Sequence, residues 1–235
     1  FAVLIIRGVS APLYFLYMKI LNLYACLGGN RYKWNEVKED IEVTAVELDP
    51  ELARLYQERF PNDEVIVADA HQYLLEHYKE FDFIWSSPPC PTHSRARYWG
   101  FGINGKNPIY PDMKLYQEII FLQHHCKGKY VIENVIPYYE PMFNPIKRGR
   151  HLYWTNFKLP NKLSERGGKL KQKDTNSESL NHYNSFHDYD FRKYKGKQLT
   201  LKIARNLVDY EAGKTIFETA LGIITKSNIK QTELF

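Results

Sequence analysis

The residues of this chain best suited to chemistry lie in Ile84-Trp85-Ser86-Ser87-Pro88-Pro89-Cys90-Pro91-Thr92-His93-Ser94. An apolar run (Phe81, Phe83, Ile84, Trp85) ends in two hydroxyl residues, two prolines and a thiol. That order reads as a buried strand running into a turn that the prolines hold rigid. A cysteine at the carboxyl end of a strand sits where open α/β sheets keep their ligand crevice. The basic residues that follow (His93, Arg95, Arg97) favour thiolate over thiol and so predict a nucleophile. A buried structural cysteine fits the same stretch, because free cysteines are among the most buried residue types.

Other polar residues recur at the ends of predicted strands. The strand Lys19 to Tyr24 runs into Ala25-Cys26-Leu27-Gly28-Gly29, a turn where backbone can approach a ligand with no Cβ in the way. The strand Glu42 to Glu47 ends in Glu47-Leu48-Asp49-Pro50, about 20 residues on, the spacing at which nucleotide-binding folds hold a ribose. A solvated cap residue is the other reading of Glu47. The strand Glu64 to Ala68 closes on Asp69-Ala70, where Asp69 either caps the helix Ala70 to Tyr78 or accepts from an adenine amino group. The strand Tyr130 to Ile132 ends in Glu133-Asn134-Val135, which puts Glu133 on the same rim as Cys90.

Elements must hold these residues in place, and their rhythm names the architecture. Helical spacing marks Pro50 to Phe60 and Met113 to His125, the latter with Leu115, Ile119, Ile120 and Leu122 on its apolar side. Alternating strands and helices predict an α/β fold, a parallel sheet with helices on both faces. Thr92 to Asp112 shows no apolar periodicity, and such a segment in a compact domain predicts a functional lid. From Lys158 to Thr200 there are ten Lys and Arg against five Asp and Glu, interleaved with Tyr183, Phe186, Tyr189, Phe191 and Tyr194. That mixture suits nucleic-acid contact, or else a solvated insert. Leu199 to Leu221 reads as helical, with a second start near Val208-Asp209-Tyr210-Glu211.

With 235 residues, 44% hydrophobic and 25% charged, the chain has the composition of a soluble globular protein. Its net charge of +5 points weakly to an acidic partner. Cys26, Cys90 and Cys126 share no metal-ligand spacing and leave one thiol over in any disulfide scheme, which suits the cytosol. Phe1 to Tyr17 is apolar but contains Arg7 and Pro12, too short for a membrane span and without the basic start of a signal peptide. Because Met18 directly precedes the first clear strand, residues 1–17 read as an upstream extension. An added strand or helix is the alternative.

Taken in order, Tyr24-Ala25-Cys26-Leu27-Gly28-Gly29, Glu47-Leu48-Asp49, Asp69-Ala70, Pro88-Pro89-Cys90, Glu133-Asn134-Val135, Arg148-Gly149-Arg150 and Arg205-Asn206-Leu207-Val208-Asp209-Tyr210-Glu211 resemble the DNA cytosine-C5 methyltransferase family. The resemblance runs from Met18 to about Leu221, and Pro-Pro-Cys followed about forty residues later by Glu-Asn-Val is its most specific part. It implies a Rossmann-like S-adenosylmethionine-dependent methyltransferase sheet over 18–157, a short target-recognition region over 158–200, returning helices over 201–225 and a tail over 226–235. It also implies a monomer in the cytoplasm of a bacterium or phage-infected host, acting on double-stranded DNA.

By the same resemblance Cys90 attacks carbon 6 of a flipped cytosine, Glu133 protonates ring nitrogen 3, and Arg150 and Arg148 hold the base and support the site. Tyr24, Ala25, Cys26, Leu27, Gly28, Gly29, Glu47, Leu48, Asp69, Ala70 and Pro88 are the expected S-adenosylmethionine contacts. Ser94, Arg95, Arg97 and Asn134 are the expected substrate contacts. An RNA cytosine substrate, or a catalytically weak DNA-binding protein, is the alternative. The chain departs from the family pattern at Cys26, Pro91 and Ile146, and the family's closing Gly-Asn-Ser-Val-like motif is not found after Glu218. The terminal Gln231-Thr232-Glu233-Leu234-Phe235 is similar to the pentapeptide that docks bacterial and phage proteins on the replicative sliding clamp, through Gln231, Leu234 and Phe235.

Overall fold

The computed structural model describes residues 3–6, 9–12, 17–99, 107–163 and 176–223. The first elements are β1 (Val3–Ile6), β2 (Val9–Pro12), β3 (Met18–Leu23), α1 (Trp34–Val37), β4 (Ile41–Glu47), α2 (Pro50–Arg59), β5 (Glu64–Val67) and α3 (Ala70–His77). Then come β6 (Phe83–Ser86), α4 (Arg95–Trp99), α5 (Lys114–His125), β7 (Lys129–Val135), β8 (Ile146–Arg148) and β9 (His151–Thr155). Three helices end the series: α6 (Asn176–His187), α7 (Thr200–Asn206) and α8 (Tyr210–Ala220).

Among the described residues β1 and β2 pair antiparallel with each other, apart from the main sheet. The remaining strands form a seven-stranded sheet in the order β5-β4-β3-β6-β7-β9-β8. Its first five strands are parallel, and β9 runs antiparallel to both of its neighbours. The chain winds outward from β3 through β4 to β5, then returns to start again at β6. This reversal of strand order opens a crevice at the carboxyl ends of β3 and β6, the usual ligand position of an open α/β sheet.

Alternation within the strands feeds two cores. Ile20, Phe83, Trp85, Val131 and Tyr153 pack on one face with Trp34, Ile216 and Phe217. Leu21, Leu23, Ile84, Ile132, Leu152 and Trp154 pack on the other with Leu74, Leu115, Ile119 and Leu122. Both faces are therefore buried, as a parallel sheet requires. Aspartates start the helices that follow β4 and β5. Asp49 accepts from the backbone N–H groups of Glu51 and Leu52, with Pro50 at the first helical position, and Asp69 accepts from those of His71 and Gln72. Asp209 does the same for α8 through Glu211 N.

The sequence expectation of a sheet covered on both faces holds, with three local corrections. β7 extends to Val135, so Glu133 lies inside a strand, because pairing with β9 continues through Glu133, Asn134 and Val135. Ile120, expected on the apolar side of its helix, is exposed. The expected basic, aromatic, nucleic-acid-facing insert is not a loop that presents its rings to solvent. Tyr183, Phe191 and Tyr194 are buried with Leu27, Leu52, Leu55, Ile203, Ala204 and Leu207 in a small core that docks α6 and α7 on α2. Residues 100–106, 164–175 and the clamp-like tail with Gln231, Leu234 and Phe235 lie outside the described residues. Among the described residues no helix is long and apolar enough to cross a membrane.

A buried ion pair braces the sheet next to the first turn. Arg31 Nε and Nη2 donate to the two carboxylate oxygens of Asp63 at 2.9 and 2.8 Å, and Tyr56 OH donates to Asp63 Oδ2 at 2.9 Å. Asp63→Asn keeps the shape and strands a buried guanidinium, so it is expected to destabilise the fold by about 3 kcal/mol in urea unfolding. An unchanged midpoint would show that water reaches Arg31.

Candidate active site

The crevice at the strand ends holds about 1060 Å³ and is lined by residues from almost every expected site segment. Its first wall is the turn after β3. Ala25 N donates to Val46 O, and Gly28 N donates back to Ala25 O at 2.8 Å. Tyr24, Cys26 and Gly28 have φ of 55, 49 and 66°. Left-handed backbone at a non-glycine residue is costly, and Cys26 is held there by Glu47 Oε2, which accepts its N–H at 2.8 Å. Burial, then the Glu47 charge, pushes the Cys26 thiol far up, so it is an inert wall group. Gly29 packs so tightly that a Cβ would stand 2.3 Å from Val208 O.

Glu47 is not a solvated cap. It is nearly buried at the end of β4, and burial raises its carboxyl above the ordinary range. Its second oxygen accepts Asp49 N at 2.9 Å. Each oxygen keeps a lone pair directed elsewhere, enough to receive two hydroxyl donors. Asp69 caps α3 and also pairs with Lys114 Nζ at 3.0 Å, which holds its carboxyl below the usual value. Leu48, Ala70 and Pro88 complete this side, with Leu48 two-thirds exposed.

Beneath Tyr24 lies a carboxylate that sequence reasoning missed. Glu118 is buried and accepts from Tyr24 OH at 2.5 Å and Ser86 Oγ at 2.6 Å, with His71 Nδ1 at 3.0 Å. Its signal was an acid at the position between Leu115 and Ile119 on the buried stripe of α5.

Cys90 is half-buried on the turn after β6. His93 N and Ser94 N both donate to Cys90 O at 3.0 Å and tighten that turn. Burial, then the Glu133 charge, raises the thiol, against smaller opposing effects from a backbone N–H and Lys202. The expected basic neighbourhood is thus corrected. His93 is buried with Nδ1 2.5 Å from Tyr139 OH, and burial pushes its imidazole down toward the neutral form. Arg95 Nε donates to Pro137 O and Arg97 Nη2 to Asn107 O, each at 3.2 Å. Ser94 Oγ accepts Ala96 N at the start of α4. Ser94, Arg95 and Arg97 do not line the cleft.

β7 brings Glu133 and Asn134 to the same cleft. Asn134 Nδ2 donates to Pro88 O at 3.0 Å, tying β7 to the proline turn that carries Cys90. Glu133 Oε1 lies 3.5 Å from His151 Nε2 on β9. Arg150 is exposed at the rim. Arg148 is turned away, its guanidinium bonded to the carbonyls of Lys147, Leu159 and Pro160. The far wall comes from Gln198, Lys202, Ile203 and Arg205 to Val208. A closing wall is therefore present, built ahead of Glu218 and not after it.

A family model described as C-5 cytosine-specific DNA methylase matches residues 18–137, about half of the chain. The chain belongs to that family. The match spans β3 to β7 and includes Cys90 and Glu133. No curated protein matches the sequence. Among solved structures it is similar to Spodoptera frugiperda DNMT2 at 26% identity over 50% of this chain and 35% of that one, with a TM-score of 0.36. A TehB-like SAM-dependent methyltransferase from Corynebacterium glutamicum matches at 20% identity over 50% and 55%, TM-score 0.32. The Entamoeba histolytica methyltransferase EhMeth matches at 12% over 69% and 62%, TM-score 0.38. This chain spans about a third of the length of the Spodoptera chain it matches.

Proposed function

We propose that this chain methylates carbon 5 of cytosine in DNA through a covalent adduct on Cys90. The observation that carries this reading is that a thiol and a carboxyl from adjacent strands, Cys90 and Glu133, line one cleft and interact electrostatically. Carbon 5 of cytosine is a poor nucleophile, and covalent addition to carbon 6 activates it. As a base enters, the Cys90 thiol passes its proton to the Glu133 carboxylate, Sγ forms the bond to carbon 6, and Glu133 hands that proton to ring nitrogen 3, so the ring becomes an enamine. After methylation, solvent water takes the carbon 5 proton, the thiolate is expelled, and the proton on nitrogen 3 returns through Glu133 to Cys90. The raised Cys90 thiol is protonated at rest, which keeps it unreactive until a base enters. The ring must leave the duplex stack to reach it.

The donor set of the cleft fits an adenosyl group. Glu47 offers free lone pairs for ribose hydroxyls, Asp69 an acceptor for an amine, and Leu23, Leu48, Leu52 and Pro88 offer apolar contact. S-adenosylmethionine held there would supply an electrophilic methyl group. Asn134 fixes the Pro88 turn, Arg150 at the rim is placed for the base, and Arg148 braces the strand behind it.

The test mixes the protein with S-adenosylmethionine and duplex DNA carrying 5-fluorocytosine, then reads intact mass. Fluorine cannot leave as a proton does, so the adduct is trapped. A DNA adduct mapping to Cys90 is the expected result. An adduct with RNA alone would move the substrate to RNA. Cofactor binding with no adduct on either polymer would refute the covalent mechanism.

A further inference from the structure

His151 has no part in the mechanism above, yet its ring nitrogen lies beside the acid. Strand register explains why the two meet. Glu133 is paired with Tyr153 and Val135 with His151, so Glu133 and His151 are diagonal neighbours on one face of β7 and β9. The side chains are 29% and 10% exposed, and His151 Nε2 lies 3.5 Å from Glu133 Oε1. Tyr153, buried beside it, packs edge-on against the imidazole with ring centroids 6.4 Å apart and limits its rotation. Both members of the pair line the cleft with Cys90. Arg150, next in sequence, has no hydrogen-bond partner among the described residues and so leaves Glu133 to His151.

We infer that His151 is a positioning residue that holds Glu133 toward the base and stabilises the carboxylate left when Glu133 gives up its proton. The inference rests on the function proposed above. The proton travels from Glu133 to nitrogen 3 and back, and His151 keeps its own throughout. With its proton on Nε2, His151 directs an N–H at Oε1, which leaves the other carboxyl oxygen to carry the mobile proton. A separation of 3.5 Å is long for a hydrogen bond, but catalytic contacts of this kind tighten once substrate is bound.

The experiment compares the full chain with His151→Val and His151→Gln in single-turnover methylation, together with KM for S-adenosylmethionine and DNA. The valine variant is expected to lose about tenfold in turnover, less than the ~10² that loss of the acid itself costs, with both KM values unchanged. Glutamine restores an N–H donor and is expected to recover most of that loss. Wild-type turnover in the valine variant overturns the inference, as does equal loss in both variants. Should the valine variant fail to fold, His151→Phe, a ring without an N–H, takes its place: about tenfold lower turnover at unchanged KM supports the role, and wild-type turnover overturns it. If the wild-type chain traps no 5-fluorocytosine, the proposed function has failed and the inference falls with it. Trapping by the wild type with no effect of His151 isolates the failure to this residue.

Discussion

Cys90→Ser abolishes methylation and the 5-fluorocytosine adduct, while S-adenosylmethionine still binds with its wild-type affinity. Serine differs by one atom, so the half-buried turn closed by His93 N and Ser94 N is kept. A serine hydroxyl lacks the intrinsic nucleophilicity of sulfur and is far too weak an acid to give its proton to a carboxylate. Cofactor titration by calorimetry separates the two effects, because Glu47 ends β4 and Asp69 caps α3, on elements other than the turn that carries the sulfur. A soluble variant that still methylates would remove Cys90 from the mechanism. Loss of folding would instead make the thiol structural.

Glu133→Gln gives opposite results in two assays. Methylation falls by ~10² or more, the scale of a lost general acid. Alkylation of Cys90 by iodoacetamide at pH 8 becomes faster. The sign follows from charge: a carboxylate beside a thiol disfavours the thiolate, so the Cys90 value lies above the ordinary one. Removing that charge lowers it and increases the thiolate fraction at fixed pH. In the wild type, alkylation is slow at neutral pH and accelerates as pH rises toward the raised thiol value. Equal alkylation rates in the two proteins would mean that Glu133 and Cys90 do not sense each other. Full methylation by the glutamine variant would exclude the acid role.

The sheet was legible because it is made of local signals. Apolar runs ending in Glu47, Asp69 and Pro88 marked strand ends, and Pro50, Asp69 and Asp209 marked helix starts, all within a few residues. The surroundings of the site were harder to read because they depend on distant pairing. His151-Leu152-Tyr153-Trp154 alternates plainly, yet nothing local says that His151 lies diagonal to Glu133. Composition likewise marked Tyr183, Phe191 and Tyr194 without telling which way they face. They turned inward because Leu27, Leu52 and Leu55 offered an apolar surface that the insert alone could cover. Arg95 and Arg97 follow Cys90 closely in sequence, but the turn and α4 direct their guanidinium groups to Pro137 and Asn107.

The position of α8 also governs how this chain can be made. Trp34, near the start of the sheet, packs tilted against Phe217 with ring centroids 5.3 Å apart, and Phe83 lies 5.3 Å from the same ring. Gly213 fits against the backbone of Asn30 so closely that a Cβ would stand 2.4 Å away. During synthesis, β3, α1 and β6 therefore emerge long before the helix that covers them. Until α8 arrives, Trp34 and Phe83 remain open to water, and the ribosome-bound chain carries an uncovered sheet face through the whole of α6 and α7. Such late, long-range closure slows folding and prolongs exposure to aggregation. α8 thus acts as the lock of the domain, and the nascent protein depends on whatever shields that face until the lock is set.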